Sequence, residues 1–528
     1  MPDKSKFFWW LAFTAVFAVL AGFVFWGTWG VDVSPVMPDC WIAHPADHLR
    51  RFLTRWLAHG TFIPSDLMEF LGDPTLWQEL QYALAVYCAA LGVAYYCRGR
   101  GLSRLAGYGA GLLLAFCGYW LTLFSAGHLG WFRWMFYGVF AFALADRAVR
   151  RGKPRHWLLL GAVVAWASFN QQDLWLLFTL FTAAYFVWCC VRERKLPWRG
   201  ALVSAAVFVA IAAPNVITTL SVTLKNRENQ IARGENITSD DADEAARRWE
   251  FVTNWSMPPE DTLEFLVPGV HGDTSCPFVL SIGRRLGTGV TPYIGRLGRA
   301  LNATSGNYRQ HSLYVGWAIC LFALCGLVAA FVGERRHRGE IAFFFFAAVV
   351  FYLLSLGRFF APAYRLVFAL PFGDLIRCPV KWHHLTEFCL AVLAAYGLGW
   401  LCTLKVARSR LGGAVLSALV VLGAVDLARV AHRYCVPVNV RPARLHDMKE
   451  ELTILRRSDF SAPQVAEMVR RGYIISLANY MGLTDMFVVA VLTPFEKEDS
   501  PASPMAIALG LLSLMTTLGV AAYGVKKS

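Results

Sequence analysis

FFWWLAFTAVFAVLAGFVF, Phe7 to Phe25, carries no charged side chain and follows the short segment MPDKSK, Met1 to Lys6. A helix needs about 20 apolar residues to cross the hydrocarbon core of a bilayer, and this run is long enough. A basic flank before an apolar run also describes a secretory signal. This run, however, outlasts the usual signal core of about 7 to 15 residues, and no Ala-x-Ala site closes it. The stretch predicts a retained first span.

The same signature recurs along the chain. Apolar stretches lie near 8–30, 79–97, 105–125, 131–146, 157–170, 174–190, 201–222, 313–333, 341–356, 385–403, 411–431 and 505–524. Of 528 residues, 56% are hydrophobic and only 16% charged, too few charges for the surface of an ordinary soluble protein. The predicted fold is an all-α polytopic membrane protein with about 12 transmembrane helices. Residues 1–431 form the bundle, 432–504 a small mixed α/β segment outside the membrane, and 505–528 the last helix with a cytoplasmic tail.

A formal charge of +14 would suggest nucleic acid in a soluble protein. Here the basic residues sit in alternate connections: Lys4 and Lys6; Arg98, Arg100 and Arg104; Arg147 to Arg155; Arg192 to Arg199; Arg335 to Arg338; Lys405 to Arg410; Lys526 and Lys527. Such alternation marks cytoplasmic loops and predicts both termini in the cytoplasm, with no nucleic-acid partner. The opposite connections, 31–78, 223–312, 357–384 and 432–504, are long, and chemistry is expected there. Most of the 13 cysteines fall in apolar runs; Cys40, Cys276, Cys378 and Cys435 fall in predicted outer loops, where a disulfide is possible without a readable pairing.

In the first outer loop, PVMPDCWIAHPADH, Pro35 to His48, puts Asp39, His44 and Asp47 just beyond the first span. ADHLRRFLTRWLAH, Ala46 to His59, spaces its apolar residues as an interfacial helix, and Asp47 stands where that helix would be capped. Two tight polar connections, SAGHLGWFR (Ser125 to Arg133) and FNQQD (Phe169 to Asp173), bring His128, Arg133, Gln171 and Gln172 to the same side. FVTNWSMPPEDTLEFLVPGVHG, Phe251 to Gly272, predicts a rigid wall around Trp255, Pro258 and Pro259, with a short helix opening at Glu260. RFFAPAYRLVFALPFGDLIRCPVKWHH, Arg358 to His384, is the most basic and aromatic outer stretch. Arg358, Arg365, Arg377 and Lys381 are the residue types that hold a phosphate, and for Arg358 and Arg365 headgroup snorkelling is the competing reading.

PDCW at Pro38 to Trp41, SAGH at Ser125 to His128, the Gln171-Gln172 turn, NWSMPPEDTLEFLVPG and LPFGDLIRCPVKW together resemble the bacterial YfhO-like membrane proteins, which are similar to type C glycosyltransferases. The resemblance runs from the first span to about Leu401. It implies a glycosyltransferase-C-like bundle in the bacterial inner membrane. It also implies a polyprenyl-phosphate-linked sugar as donor, an extracytoplasmic acceptor, an essential acid at Asp39 and a phosphate-engaging loop at Arg377 and Lys381. Two departures stand out: Asp73-Pro74-Thr75-Leu76-Trp77 replaces the family's Gly-x-Pro-Leu-Trp, and the carboxy-terminal outer segment is short.

The expected reaction is sugar transfer from an undecaprenyl-phosphate carrier, with Asp39 as base and cations on the departing phosphate. Asp47 and His128 are further catalytic candidates. The substrate-binding candidates are His44, Arg133, Gln171, Gln172, Trp255, Glu260, Arg358, Arg377 and Lys381. No cofactor is implied. Asp39, Asp47, His44 and Glu260 are metal-ligand types, but nothing in their spacing fixes a divalent-metal geometry. Two other classes compete: a lipid-linked substrate transporter or flippase, which would place ionisable groups within spans, and a non-catalytic envelope assembly protein.

Overall fold

The computed structural model describes residues 4–25, 34–36, 74–122, 124, 129–169, 172–213, 246, 248–250, 252–253, 255–271, 312–333, 335–370, 373, 376, 378–434, 438–440, 512–520 and 522–523. A helix lies in each of the twelve apolar stretches. In chain order they are α1 (Lys4–Val24), α2 (Pro74–Gly99) and α3 (Arg104–Ala115), which a one-turn helix, α4 (Gly118–Leu121), extends. Next come α5 (Leu129–Arg151), α6 (Pro154–Ser168), α7 (Gln172–Glu193) and α8 (Trp198–Ala213). After the second outer loop follow α9 (Trp317–Val332), α10 (Arg338–Ser355), a short α11 (Ala361–Phe368), α12 (His383–Leu401), α13 (Arg410–Tyr434) and α14 (512–520). Six of these regions, within α1, α2, α7, α10, α12 and α13, are long and apolar enough to cross a membrane. The fold is that of an all-α membrane protein.

Local chemistry sets several of the boundaries. The Ser103 hydroxyl caps α3 by accepting the Ala106 N–H at 3.1 Å. Pro154 opens α6, where its missing N–H costs nothing, two residues after Gly152 has turned the chain through a left-handed conformation (φ 64°).

Helix α12 is the axis of the bundle. The stretch Pro379–Leu401 is 83% buried, against 28% for Phe7–Val24 at the rim. It packs on α9, α10 and α3, while α5 packs on α2, α6 and α7, and α1 lies along α13. The α9–α12 crossing is close because both helices present glycine. A Cβ at Gly397 would fall on the Phe322 carbonyl oxygen, and one at Gly326 on that of Leu393. Small residues of this kind allow helices to associate where apolar lipid provides no hydrophobic drive.

One end of the bundle is held by a buried ion cluster. Arg100, 6% exposed, pairs with Asp146 and with Glu340, each at 2.8 Å, and Arg192 reaches Glu340 at 2.9 Å. The Tyr185 hydroxyl donates to Asp146 at 3.0 Å, and Tyr96 lies 3.2 Å from both the Tyr185 and Tyr396 hydroxyls. The connection after α2 is thereby tied to α5, α7, α10 and α12. Arg100 reads in the sequence as one member of a basic loop; the fold instead draws it inward to two acids.

At the other end the first and last parts of the bundle meet. Strand β1 (Ser34–Val36) pairs antiparallel with β2 (Val438–Val440), Pro35 facing Asn439. Beneath this pairing the His432 ring stacks on Phe23 at 4.7 Å and contacts the Val24 carbonyl through Nδ1 at 3.2 Å. Of the expected α/β segment at 432–504, the described part is the end of α13 and β2. The expected interfacial helix at Ala46 to His59 lies outside the described residues, as do Cys40, Cys276 and Cys435.

Candidate functional site

The two outer segments singled out in the sequence lie against one another. Trp255 is buried, and its carbonyl accepts the Val380 N–H at 3.1 Å; the Val252 carbonyl accepts the Cys378 N–H at 3.0 Å; and Met257 donates its N–H to Ser355 at 2.9 Å. Those bonds hold Cys378 in a left-handed conformation, φ 64° and ψ 77°, which costs a non-glycine residue about 1–3 kcal/mol. The strained residue starts the 3-10 turn Pro379–Trp382, and that turn carries Lys381 into the bundle at 6% exposure. The Lys381 ammonium lies 5.7 Å from the ring centre of Trp131.

Immediately after the turn, α12 opens with His383 and His384, and Glu387 follows one helical turn later. All three are 0% exposed. Spacing of i and i+4 puts His383 and Glu387 on one face, with Nε2 and Oε1 3.5 Å apart. The same Oε1 accepts the backbone N–H of Tyr119 at 3.2 Å. Helix α4 has no side-chain cap of its own, so Glu387 supplies one from across the bundle.

Aromatic rings surround His384: Tyr119 at 4.4 Å, Trp131 at 4.8 Å, Trp120 at 5.8 Å and Trp134 at 5.9 Å between ring centres. Phe265, from the 3-10 helix Pro259–Phe265, covers His383 at 4.7 Å. Both ring nitrogens of His384, the indole N–H groups of Trp120 and Trp134, and Glu387 Oε2 have no hydrogen-bond partner among the described residues. Each buried polar group left so costs about 1–3 kcal/mol, so a cluster of them marks a place where the fold gives up stability.

The remaining candidates separate. Arg133 donates to Gln81 across α5 and α2. Arg358 donates to the Thr253 carbonyl at 3.0 Å and the Glu250 carbonyl at 2.9 Å, which binds the 249–258 segment to the end of α10, and burial lowers its guanidinium from its ordinary range. Arg365 sits over the Trp249 ring at 5.7 Å. Glu260 is half-buried at the start of the 3-10 helix, where its carbonyl contacts His271 Nε2 at 3.3 Å, and the neighbouring Asp261 is fully buried. Gln172 begins α7. Asp39, His44, Asp47, His128, Gln171 and Arg377 lie outside the described residues.

His383, His384 and Glu387 were not among the sequence candidates, because the third outer loop ends at His384 and Glu387 falls inside the next apolar run. The legible signal was that acid, two residues into the stretch 385–403. Comparison with family models, with curated proteins and with solved structures found no match to this chain.

Proposed function

We propose that this protein is a membrane glycosyltransferase that moves a sugar from an undecaprenyl-phosphate carrier to an acceptor outside the cytoplasm. What supports the reading is the joining of NWSMPPEDTLEFLVPG to LPFGDLIRCPVKW through the Val380 N–H and the Trp255 carbonyl, with Lys381 buried at the junction beside two histidines. These are two of the segments on which the resemblance to YfhO-like proteins rests, and they build one structure rather than two separate loops.

In this reading the helices make twelve spans of a glycosyltransferase-C-like bundle in the bacterial inner membrane. The Arg100 end and both termini face the cytoplasm, and the His384 end faces outward, in keeping with the alternation of basic loops. The acceptor hydroxyl oxygen bonds to the anomeric carbon. The bond from that carbon to the carrier's phosphate oxygen breaks, its electron pair leaves with the phosphate, and Asp39 takes the hydroxyl proton. Arg377 and Lys381 stabilise the departing phosphate. Asp47 is the reserve base, and His44 and His128 assist or orient the carboxylate.

A second reading, transport of a lipid-linked substrate, draws on the burial of His383, His384 and Glu387 within the bundle, since ionisable groups inside spans mark pathways. Purified protein with a radiolabelled polyprenyl-phosphate sugar separates the two. Glycosyl transfer predicts release of the carrier phosphate when acceptor is added, and at least a tenfold loss of lipid-sugar binding in Lys381→Met, equivalent to about 1.4 kcal/mol. Movement of intact lipid-sugar across vesicles without cleavage would establish transport, and no binding by folded protein would leave an assembly role.

A further inference from the structure

Three segments meet at Lys381. Two are joined through the Val380 N–H and the Trp255 carbonyl, and the third, the connection SAGHLGWFR, arrives through Trp131. Trp131 stands in the first turn of α5 and is 2% exposed. Its ring centre lies 5.7 Å from the Lys381 ammonium, within the roughly 6 Å over which an indole face attracts a cation.

Both partners of this contact are anchored. His384, at 4.8 Å, and Tyr119, at 6.2 Å and an interplanar angle of 80°, pack against the Trp131 ring. Tyr119 is itself tied to the central helix, because Glu387 accepts its N–H. On the other side the Lys381 backbone is fixed by its N–H, which donates to the Cys378 carbonyl at 2.9 Å. Trp382, the last residue of that turn, stacks on Phe351 at 5.7 Å. What spans the two anchors is the lysine stem, a flexible four-carbon chain ending in a point charge.

We infer, on the reading that Lys381 meets the carrier's phosphate, that Trp131 is a positioning residue whose indole face holds the Lys381 ammonium in place for that phosphate. An aromatic face attracts a cation through its quadrupole and carries no net charge, so it directs the ammonium without neutralising it. A carboxylate in the same position would hold the lysine and cancel the charge that stabilises the departing phosphate. A lysine stem gives up rotamer freedom when its head is fixed, and a stem already held gives up less on binding.

The test uses the full-length protein in detergent and two probes, undecaprenyl phosphate and undecaprenol, which differ only in the phosphate. The readout is the ratio of their affinities, because a loss of packing or of folded protein weakens both probes alike. The wild type prefers the phosphate, and Lys381→Met removes that preference. Successive ring fluorination of Trp131, introduced at this position alone, drains the quadrupole with little change of shape and lowers the preference stepwise, by about fivefold in all. Trp131→Leu lowers it at least as far, Trp131→Phe falls between Trp131→Leu and wild type, and adding Lys381→Met to Trp131→Leu takes little more. A preference that Lys381→Met abolishes but that neither fluorination nor Trp131→Leu changes would overturn the positioning role and leave the transfer reading standing. A wild type without preference, or a preference that survives Lys381→Met, would overturn the phosphate role of Lys381 and this inference with it.

Discussion

Glu387 Oε1 accepts the backbone N–H of Tyr119 at 3.2 Å, so a carboxylate on the central helix caps a helix that is 268 residues away in sequence. That bond fixes the aromatic wall formed by Tyr119 and Trp120 against His384. It also gives a fully buried acid a structural task apart from any chemistry.

Glu387→Ala is expected to leave the Tyr119 N–H unsatisfied and lower stability by about 1–3 kcal/mol. Glu387→Gln keeps an acceptor oxygen in place and is expected to recover most of that loss. Thermal unfolding of the detergent-solubilised protein reads the difference. Equal destabilisation by both variants would mean that the carboxylate charge, rather than the cap, is what matters.

Arg100→Met should be among the most damaging substitutions outside the site. It strips Asp146 of its buried partner and leaves Glu340 with Arg192 alone, and breaking a buried pair in this way costs about 3–5 kcal/mol. The triple variant Arg100→Met, Asp146→Leu, Glu340→Leu removes all three charges and is expected to regain a large part of the loss. If the triple variant unfolds at the same temperature as the single one, the cluster contributes through its geometry rather than through charge compensation.

Arg358→Ala tests whether this arginine is a phosphate ligand or a brace. Its bonds to the Thr253 and Glu250 carbonyls predict faster proteolysis of the 249–258 segment and a stability loss of about 1–3 kcal/mol. Lipid-sugar binding that falls while proteolysis and melting stay at wild-type values would assign it to the substrate instead.

Gly397→Leu is expected to force α9 and α12 apart, because the added side chain meets the Phe322 backbone rather than a flexible group. Overpacking usually costs about 1–3 kcal/mol. Contact with a rigid main chain puts this variant at the upper end, read as a lower melting temperature and poor recovery from detergent. Recovery and melting at wild-type levels would show that the crossing can relax.

Asp39→Asn should leave folding and membrane insertion unchanged while reducing sugar transfer by about 10²–10⁴, the usual worth of a general base. Turnover by this variant at the wild-type rate removes Asp39 from the mechanism, and the search then passes to Asp47 and His128.

The membrane class and the helix positions were legible because hydropathy is a property of consecutive residues and needs no partner. A helix lies in every apolar stretch read from the chain. Lys381 was visible too, as a cation in an aromatic outer loop. Its burial was not, since burial depends on Val252 and Trp255, more than 120 residues upstream, reaching the turn through their carbonyls.

The ion cluster and the histidine cluster belong to the tertiary structure alone. In one dimension Arg100 is a topogenic charge and Glu387 is an irregularity in an apolar run. Only when α12 crosses α3 and α4, and α2 meets α5, do these groups lose their water and acquire partners. A one-letter pattern records how much apolar surface a segment must bury, but not which faces meet. The close approach of α9 to α12, the seat of His384 and the pairing of Arg100 with two acids were therefore decided by packing.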